Sequence, residues 1–288
     1  MSRPVDTLLD YLRAEEARGT ESVFLDEEAK VLLRELHRKA REQKKAPAKK
    51  PSATPVSMSL AEEPSVPAQP TELAKVVVDG ATAAEKIESL KRQAADWGPT
   101  KALNSLRETM VFSTGNPEAE LMLVGEAPGY QEERQREPFV GPAGQKLDGI
   151  LNAMGLEREA VYISNIVKFR PSMPKQTTNN RKPTPEEMAS CLPFIREEVG
   201  IVKPKCIVAL GATAAEGLLG LTGAVGRMRN SWHEFDGTPV KVTYHPAYLL
   251  HGNAGLKDKR MIWEDMLEVM KHLGLSITDK QRGFFLPK

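Results

Sequence analysis

Four side chains stand where an apolar run gives way to a loop. Glu126 follows "LMLVG", Asn165 sits late in "AVYISN", His245 follows "PVKVTY", and Phe139 lies in "PFVGPAG". An amide offers an acceptor and a donor pair in fixed geometry, which matches a flat heterocycle with a carbonyl beside an N–H, as in uracil. Phe139 supplies a face for such a ring. The carboxylate and the imidazole are the groups that position water and handle protons. Gly125, Gly129, Gly141 and Gly144 let backbone come close to a ligand or to phosphates. An amide inside an apolar strand is costly unless paired, so Asn165 reads as a ligand or network residue. His37, His233 and His272 have no comparable setting and read as surface or helix residues, whereas His251 is near enough to the "AYLL" loop to touch phosphate.

The elements around these residues alternate. "AAEKIESLKRQAADW", "AGQKLDGILNAMGL", "TPEEMASCLPFIREEVGIV", "ATAAEGLLG" and "KRMIWEDMLEVMKHLGL" have helical spacing. The third of these is punctuated by Thr184 as N-cap, Pro185 in the first turn and Glu187 at the capping-box position, and the second ends at Gly155. Between them lie four strands: "AELMLVG", "AVYISNIVKFRP", "PKCIVALG" and "TPVKVTY". Strands alternating with helices predict an α/β fold, a three-layer α/β/α arrangement around a central four-stranded parallel sheet. Continuous apolar runs such as "CIVALG" fit strands covered on both sides. Ligands of such sheets bind beyond the carboxyl ends of the strands, which is where Glu126, Asn165 and His245 fall. Enzymes that act on one base commonly take it out of the stack into a pocket of this kind. The turn after "PKCIVALG", at Gly211, reads equally as a phosphate cradle or as helix packing.

The chain has 288 residues, of which 40% are hydrophobic and 27% charged, with a formal net charge of +1. That suffices for one domain with a full core and an extension. We read residues 1–43 as an N-terminal helical segment, 44–72 as a flexible Pro/Lys/Ala linker, 83–275 as the main domain and 276–288 as a tail. The Lys- and Pro-rich linker is too poor in apolar residues to order itself. Its basic end reads as a solvated tether, with contact to nucleic acid as the alternative. No apolar run is long enough for a membrane span. The first residues lack a signal-peptide pattern, and two cysteines, Cys191 and Cys206, fit a reducing cytoplasm.

Taken together, "GEAPG", "PFVGPAG", "YISNIVKFRP", "PKCIVALG" and "HPAYLL" resemble the bacterial and archaeal family 4 uracil-DNA glycosylases, over roughly residues 85–275. The resemblance implies hydrolysis of the N-glycosidic bond of uracil in DNA. The alternatives are action on other deaminated bases or non-catalytic binding of damaged DNA. It also implies roles. Glu126 positions the attacking water. Gly125, Ala127, Pro128 and Gly129 contact the flipped nucleotide. Phe139 stacks on uracil, Asn165 pairs with its edge, and His245 stabilises charge on the leaving base. Leu249 or Leu250 probes the minor groove. Ala127 stands where the first family of these enzymes has an acid, as in family 4. The absence of His from "KFRPSMPKQTTNNRKP" weighs against covalent capture of uracil. Uracil-containing DNA is the expected partner and the monomer the expected state.

The chain departs from the family at the cysteines that hold a [4Fe–4S] cluster. Residues 85–120 contain none, and the family's "KCRP" is here "KFRP", with Phe169 at the ligand position. Only Cys191 matches a ligand position, and one thiolate cannot hold a cubane that needs four. No cofactor or metal is therefore expected, with Phe169 and Trp97 packing in the cluster's place. Without the cluster, the loop 170–183 is expected to be a mobile DNA-contacting segment, acting through Lys168, Arg170, Lys175, Arg181 and Lys182.

Overall fold

A computed structural model describes residues 76–250 and 255–286. The expected N-terminal helices and linker lie outside the described residues, as does His251. The chain enters through α1 (Ala83–Ala95), α2 (Gly98–Ala102), β1 (Leu106–Met110), β2 (Ser113–Gly115) and β3 (Leu121–Gly125). Next come α3 (Tyr130–Gln135), α4 (Pro142–Met154), β4 (Tyr162–Asn165) and β5 (Phe169–Pro171). They are followed by α5 (Pro185–Val202), β6 (Cys206–Leu210), α6 (Ala212–Leu219) and α7 (Val225–Met228). β7 (Trp232–Phe235), β8 (Thr238–Thr243), α8 (Leu256–His272) and α9 (Asp279–Arg282) complete it.

The main sheet has six strands, in the order β2-β4-β3-β6-β8-β7. Its four central strands are the expected ones, and they are parallel. The expectation of four strands is corrected by β2 and β7, which pair antiparallel at the two edges. Period-two alternation splits β3 between two cores. Met122 and Val124 face a cluster that includes Leu90 of α1, Phe194 of α5 and Leu218 of α6. Leu121 and Leu123 face a cluster that includes Leu147 of α4 and Trp263 of α8. Each fully buried side chain of this size contributes about 1.5–3 kcal/mol, so two-sided burial fixes these short strands firmly. Among the described residues, no helix is long and apolar enough to cross a membrane.

The helix punctuation agrees with the sequence. Thr184 Oγ1 accepts from Glu187 N at 3.2 Å while Glu187 Oε2 accepts from Thr184 N at 2.8 Å. Gly155 ends α4 in the left-handed conformation. The run 160–171 was expected to be one strand, but it breaks. Ile166 and Val167 donate to the carbonyls of Gly125 and Glu126 at 3.0 and 3.1 Å, which carries the chain across the end of β3. It then pairs as β5 with β1 in a separate two-stranded sheet.

The cations expected on the DNA side need correction. Lys168 is completely buried; its Nζ lies 2.6 Å from Glu198 Oε2 and 4.8 Å from the centre of the Phe112 ring. Glu198 also accepts from Tyr162 and Ser164. Arg170 is 2% exposed and bonds Glu133, the Asn180 side chain and the carbonyls of Thr177 and Asn179. Arg181 grips both oxygens of Glu187 and the carbonyls of Ser105 and Ser172. A charge removed from water needs a partner, and these three have found theirs inside the protein. They present no free cation to a phosphate, and Arg170 and Arg181 pin the loop expected to be mobile. Two of the expected loop cations remain accessible: Lys175, which is exposed, and Lys182, 53% exposed and paired with Glu216.

The stretch expected as a tail is folded. Trp263 Nε1 donates to the Gln281 carbonyl at 2.6 Å, and Gln281 Nε2 donates to the Ala153 carbonyl at 2.9 Å. Phe284 packs on Trp263, and Arg260 donates to the carbonyls of Arg282 and Phe284.

Candidate active site

β3, β4 and β8 end on the same edge of the sheet, and a cavity of about 260 Å³ lies there, with Asn165 of β4 on its wall and Glu126 not among its lining residues. Ala127, Gly129, Phe139, Asn165, His245 and Leu250 are among its walls. Asn165 closes β4 and is only 2% exposed. Its amide has no hydrogen-bonding partner among the described residues. The amide is not among the buried polar atoms that lack a partner; it opens onto the cavity, where it can meet the edge of a ligand. Gly125, beside it on β3, is required by space. A Cβ there would stand 2.4 Å from Asn165 Oδ1 and 2.5 Å from Phe139 Cζ.

Phe139 is 5% exposed and adopts a left-handed backbone, φ +55°. A bulky residue holds that conformation only when its surroundings over-determine it, and such strain gathers at functional sites. Three features hold it here. Gly144 leaves room for the Phe139 carbonyl, which a Cβ would meet at 1.8 Å. Arg158 donates to the carbonyl of Pro138 and to Glu137 and Asp148. Glu132 Oε1 accepts from Gly141 N at 2.8 Å, closing the far end of the loop.

The His245 ring stacks on Phe139 with centroids 5.6 Å apart and planes at 27°. Its Nδ1 accepts from Ala247 N at 3.2 Å. An N–H donor at Nδ1 requires a lone pair there, so the neutral ring carries its proton on Nε2. Burial pulls the pKa of His245 down from 6.5 to about 4. The ring is thus a neutral donor at neutral pH. Gly211 has φ +96°, and a Cβ added there would lie 3.1 Å from His245 Cβ, so its backbone conformation and the close approach of the His245 backbone both call for glycine, which favours the packing reading of that turn.

Glu126, next after β3, is half-buried. Burial pushes its carboxyl above the usual range, a hydrogen bond with Thr213 and the charge of Lys182 pull it partly back, and Glu216 raises it again. Ala127, Pro128 and Gly129 continue past it, with Pro128 buried and the other two on the cavity wall. Leu249 and Leu250 lie in a 3-10 turn, Pro246–Leu250, directly after His245, with Leu250 44% exposed.

The sequence reading missed Glu132, Asn180, Arg158 and Thr213. Asn180 lines the cavity and is held by Arg170 Nε at 2.9 Å. Glu132 stands three residues after Gly129, at a capping-box position, but its carboxylate accepts from Gly141 N instead. Asn180 and Arg158 gave no signal, because their partners are distant in sequence.

The residues do not fit an iron–sulfur cluster. Cys191 belongs to the core that holds Trp97, Phe169 and Phe194, and Cys206 to the core on the opposite sheet face, so the two thiols cannot share an iron. Burial raises the pKa of both, that of Cys206 to about 12, which disfavours thiolate. Trp97 stands edge-on to Phe194 at 5.1 Å and donates to the Ser190 carbonyl at 2.9 Å. No group of three or more metal-ligating side chains occurs among the described residues.

The family profile described as the uracil DNA glycosylase superfamily matches residues 112–267. A type-4 uracil-DNA glycosylase of Thermotoga maritima is 40% identical over 162 residues, 56% of this chain and 81% of the relative. Its namesake in Pyrobaculum aerophilum is 38% identical over 156 residues, 51% and 76% of the two chains. That of Archaeoglobus fulgidus is 39% identical over 157 residues, 52% and 76%.

Proposed function

The chain belongs to the uracil DNA glycosylase superfamily, and from that premise we propose that it hydrolyses the N-glycosidic bond of uracil in DNA at the cavity beyond β3, β4 and β8, leaving an abasic site. The observation that carries the reading is the amide of Asn165 opening onto one cavity with the stacked Phe139 and His245 rings. The flipped uracil lies against Phe139, and Asn165 pairs with its carbonyl and N–H edge. The bond from C1′ to N1 breaks with its electron pair leaving on uracil. His245 donates from Nε2–H to the uracil oxygen where negative charge grows. A neutral donor suits this role, since it stabilises the anion without drawing a full charge into a buried site. Glu126 holds the water whose oxygen bonds to C1′ and takes the proton released. Its raised proton affinity, a consequence of burial, serves that acceptance.

Incubating the protein with uracil-containing single- and double-stranded DNA tests the reading: free uracil and an alkali-labile site are expected. A covalent adduct, or tight binding with no release, would contradict it. Asn165→Asp is expected to act on selectivity, because it replaces a donor by an acceptor at the uracil edge. Release of uracil relative to other deaminated bases, measured in competition, should fall, and an unchanged ratio would remove Asn165 from the recognition set.

We also read the chain as working without a resident cluster, with Trp97, Phe169 and Phe194 packing apolar surface around Cys191, and Arg170 and Arg181 fixing the loop between β5 and α5. Anaerobically purified protein is expected to be colourless and free of stoichiometric iron. A brown protein with about four irons per chain would overturn this. A DNA substrate together with two free, buried thiols supports a cytoplasmic location.

A further inference from the structure

A second cleft, of about 380 Å³, shares two walls with the first. α4 gives Pro142 and Ala143 to the first cavity and Lys146 and Ile150 to the second. The 3-10 turn gives Leu250 to the first and Leu249 to the second. Lys259 of α8 and Phe285 complete it. Both lysines are exposed, and neither has an acidic partner among the described residues. Phe285 is 37% exposed, although its neighbour Phe284 is tied down on Trp263. Its backbone is left-handed, φ +58°. Phe139 and Phe285 are the two aromatic residues with this conformation among the described residues, and each lines one of the adjoining cavities.

An aromatic face, two aliphatic side chains and a pair of uncompensated cations on facing helices match a nucleotide: a base that stacks and a phosphate that neutralises. An apolar protein partner would bury the lysines with nothing to offset them. We propose that this cleft is a second nucleotide subsite, which holds a nucleotide flanking the flipped uracil on the same strand, with its base against Phe285 and Leu249 and its phosphate between Lys146 and Lys259. The same strand is favoured because one residue step, Leu250 to Leu249, passes from one cavity to the next. The inference rests on the uracil-DNA reading and adds to it a basis for binding single strands.

The test compares uracil release from deoxyuridine 3′,5′-bisphosphate and from a single-stranded 11-mer with one central deoxyuridine. Wild type is expected to prefer the 11-mer. Phe285→Ala should lower kcat/KM on the 11-mer about tenfold and leave the bisphosphate unchanged. Lys146→Gln with Lys259→Gln, both exposed positions, should reduce the slope of log kcat/KM against log salt by about 0.7 on the 11-mer alone. This pair also serves as a second reading if Phe285→Ala loosens the C-terminal turn. Equal losses on both substrates, or no loss on either, would overturn the subsite. If wild type releases no uracil from either substrate, the activity reading fails instead. Affinity of the same variants for an abasic 11-mer then decides the subsite: weakening of about tenfold upholds it, and unchanged affinity overturns it.

Discussion

His245→Ala and Glu126→Ala are each expected to slow uracil release by about 10²–10³ in single-turnover reactions, while affinity for an abasic-site duplex changes little. The asymmetry follows from what each group meets. The Nε2–H of His245 strengthens its hydrogen bond only as the uracil oxygen gains charge, and Glu126 acts on a water that becomes a nucleophile only as the sugar loses its base. The pH profile separates the two. His245, held near a pKa of about 4 by burial, stays a neutral donor as pH falls through 6.5, so no break is expected there. Glu126 must be ionised, and burial raises its pKa; the acid limb of kcat/KM should therefore lie above the usual carboxylate range. Glu126→Gln should remove that limb and leave a low rate that declines only as His245 takes a proton near pH 4. A break near 6.5 that persists in Glu126→Gln would show that His245 is not the buried neutral donor described.

Lys168→Met is expected to cost about 3–5 kcal/mol of stability, because it strands the Glu198 carboxylate in the core. Lys168 and Glu198 are both completely buried, and the carboxylate is joined by Tyr162, whose hydroxyl reaches Ser113 at 2.7 Å. Adding Glu198→Gln removes the stranded charge and keeps a group that accepts from Tyr162 and Ser164. Much of the loss should return in the double variant. Urea unfolding of the three proteins measures this. If Lys168→Met unfolded as wild type does while its DNA affinity fell with a shallower salt dependence, Lys168 would be a phosphate contact and not a core ion pair.

The positions legible in the sequence were those fixed by local pattern. Gly125, Glu126, Asn165 and His245 fall at the ends of apolar runs, and a parallel sheet puts such ends on one edge. Phe139 was marked by its flanking glycines, and Gly125 and Gly144 prove to be the room it needs. The helix ends at Thr184 and Gly155 are written in single residues. What was missed depends on distant partners. Nothing near Lys168 or Arg170 announces Glu198 or Glu133, so charges in a polar stretch read as surface. The edge strand β7 was legible after all: Asp236 and Gly237, with φ of +46° and +81°, form the two-residue turn between Phe235 and Thr238, and Asp-Gly between apolar residues is the usual hairpin signal. β2 has three residues, too few to show a period. The break after Asn165 was hidden because "IVKF" continues the apolar run while the backbone turns to bond Gly125 and Glu126.

The central claim is that the cavity beyond β3, β4 and β8 is where uracil is held and cut from its sugar. A crystal structure of the protein with abasic-site DNA and free uracil tests it most directly. The account predicts the uracil ring on Phe139, its edge on the Asn165 amide and one carbonyl oxygen on His245 Nε2, with the sugar facing Glu126. Uracil bound elsewhere, or an abasic sugar remote from Glu126 with this cavity vacant, would contradict it.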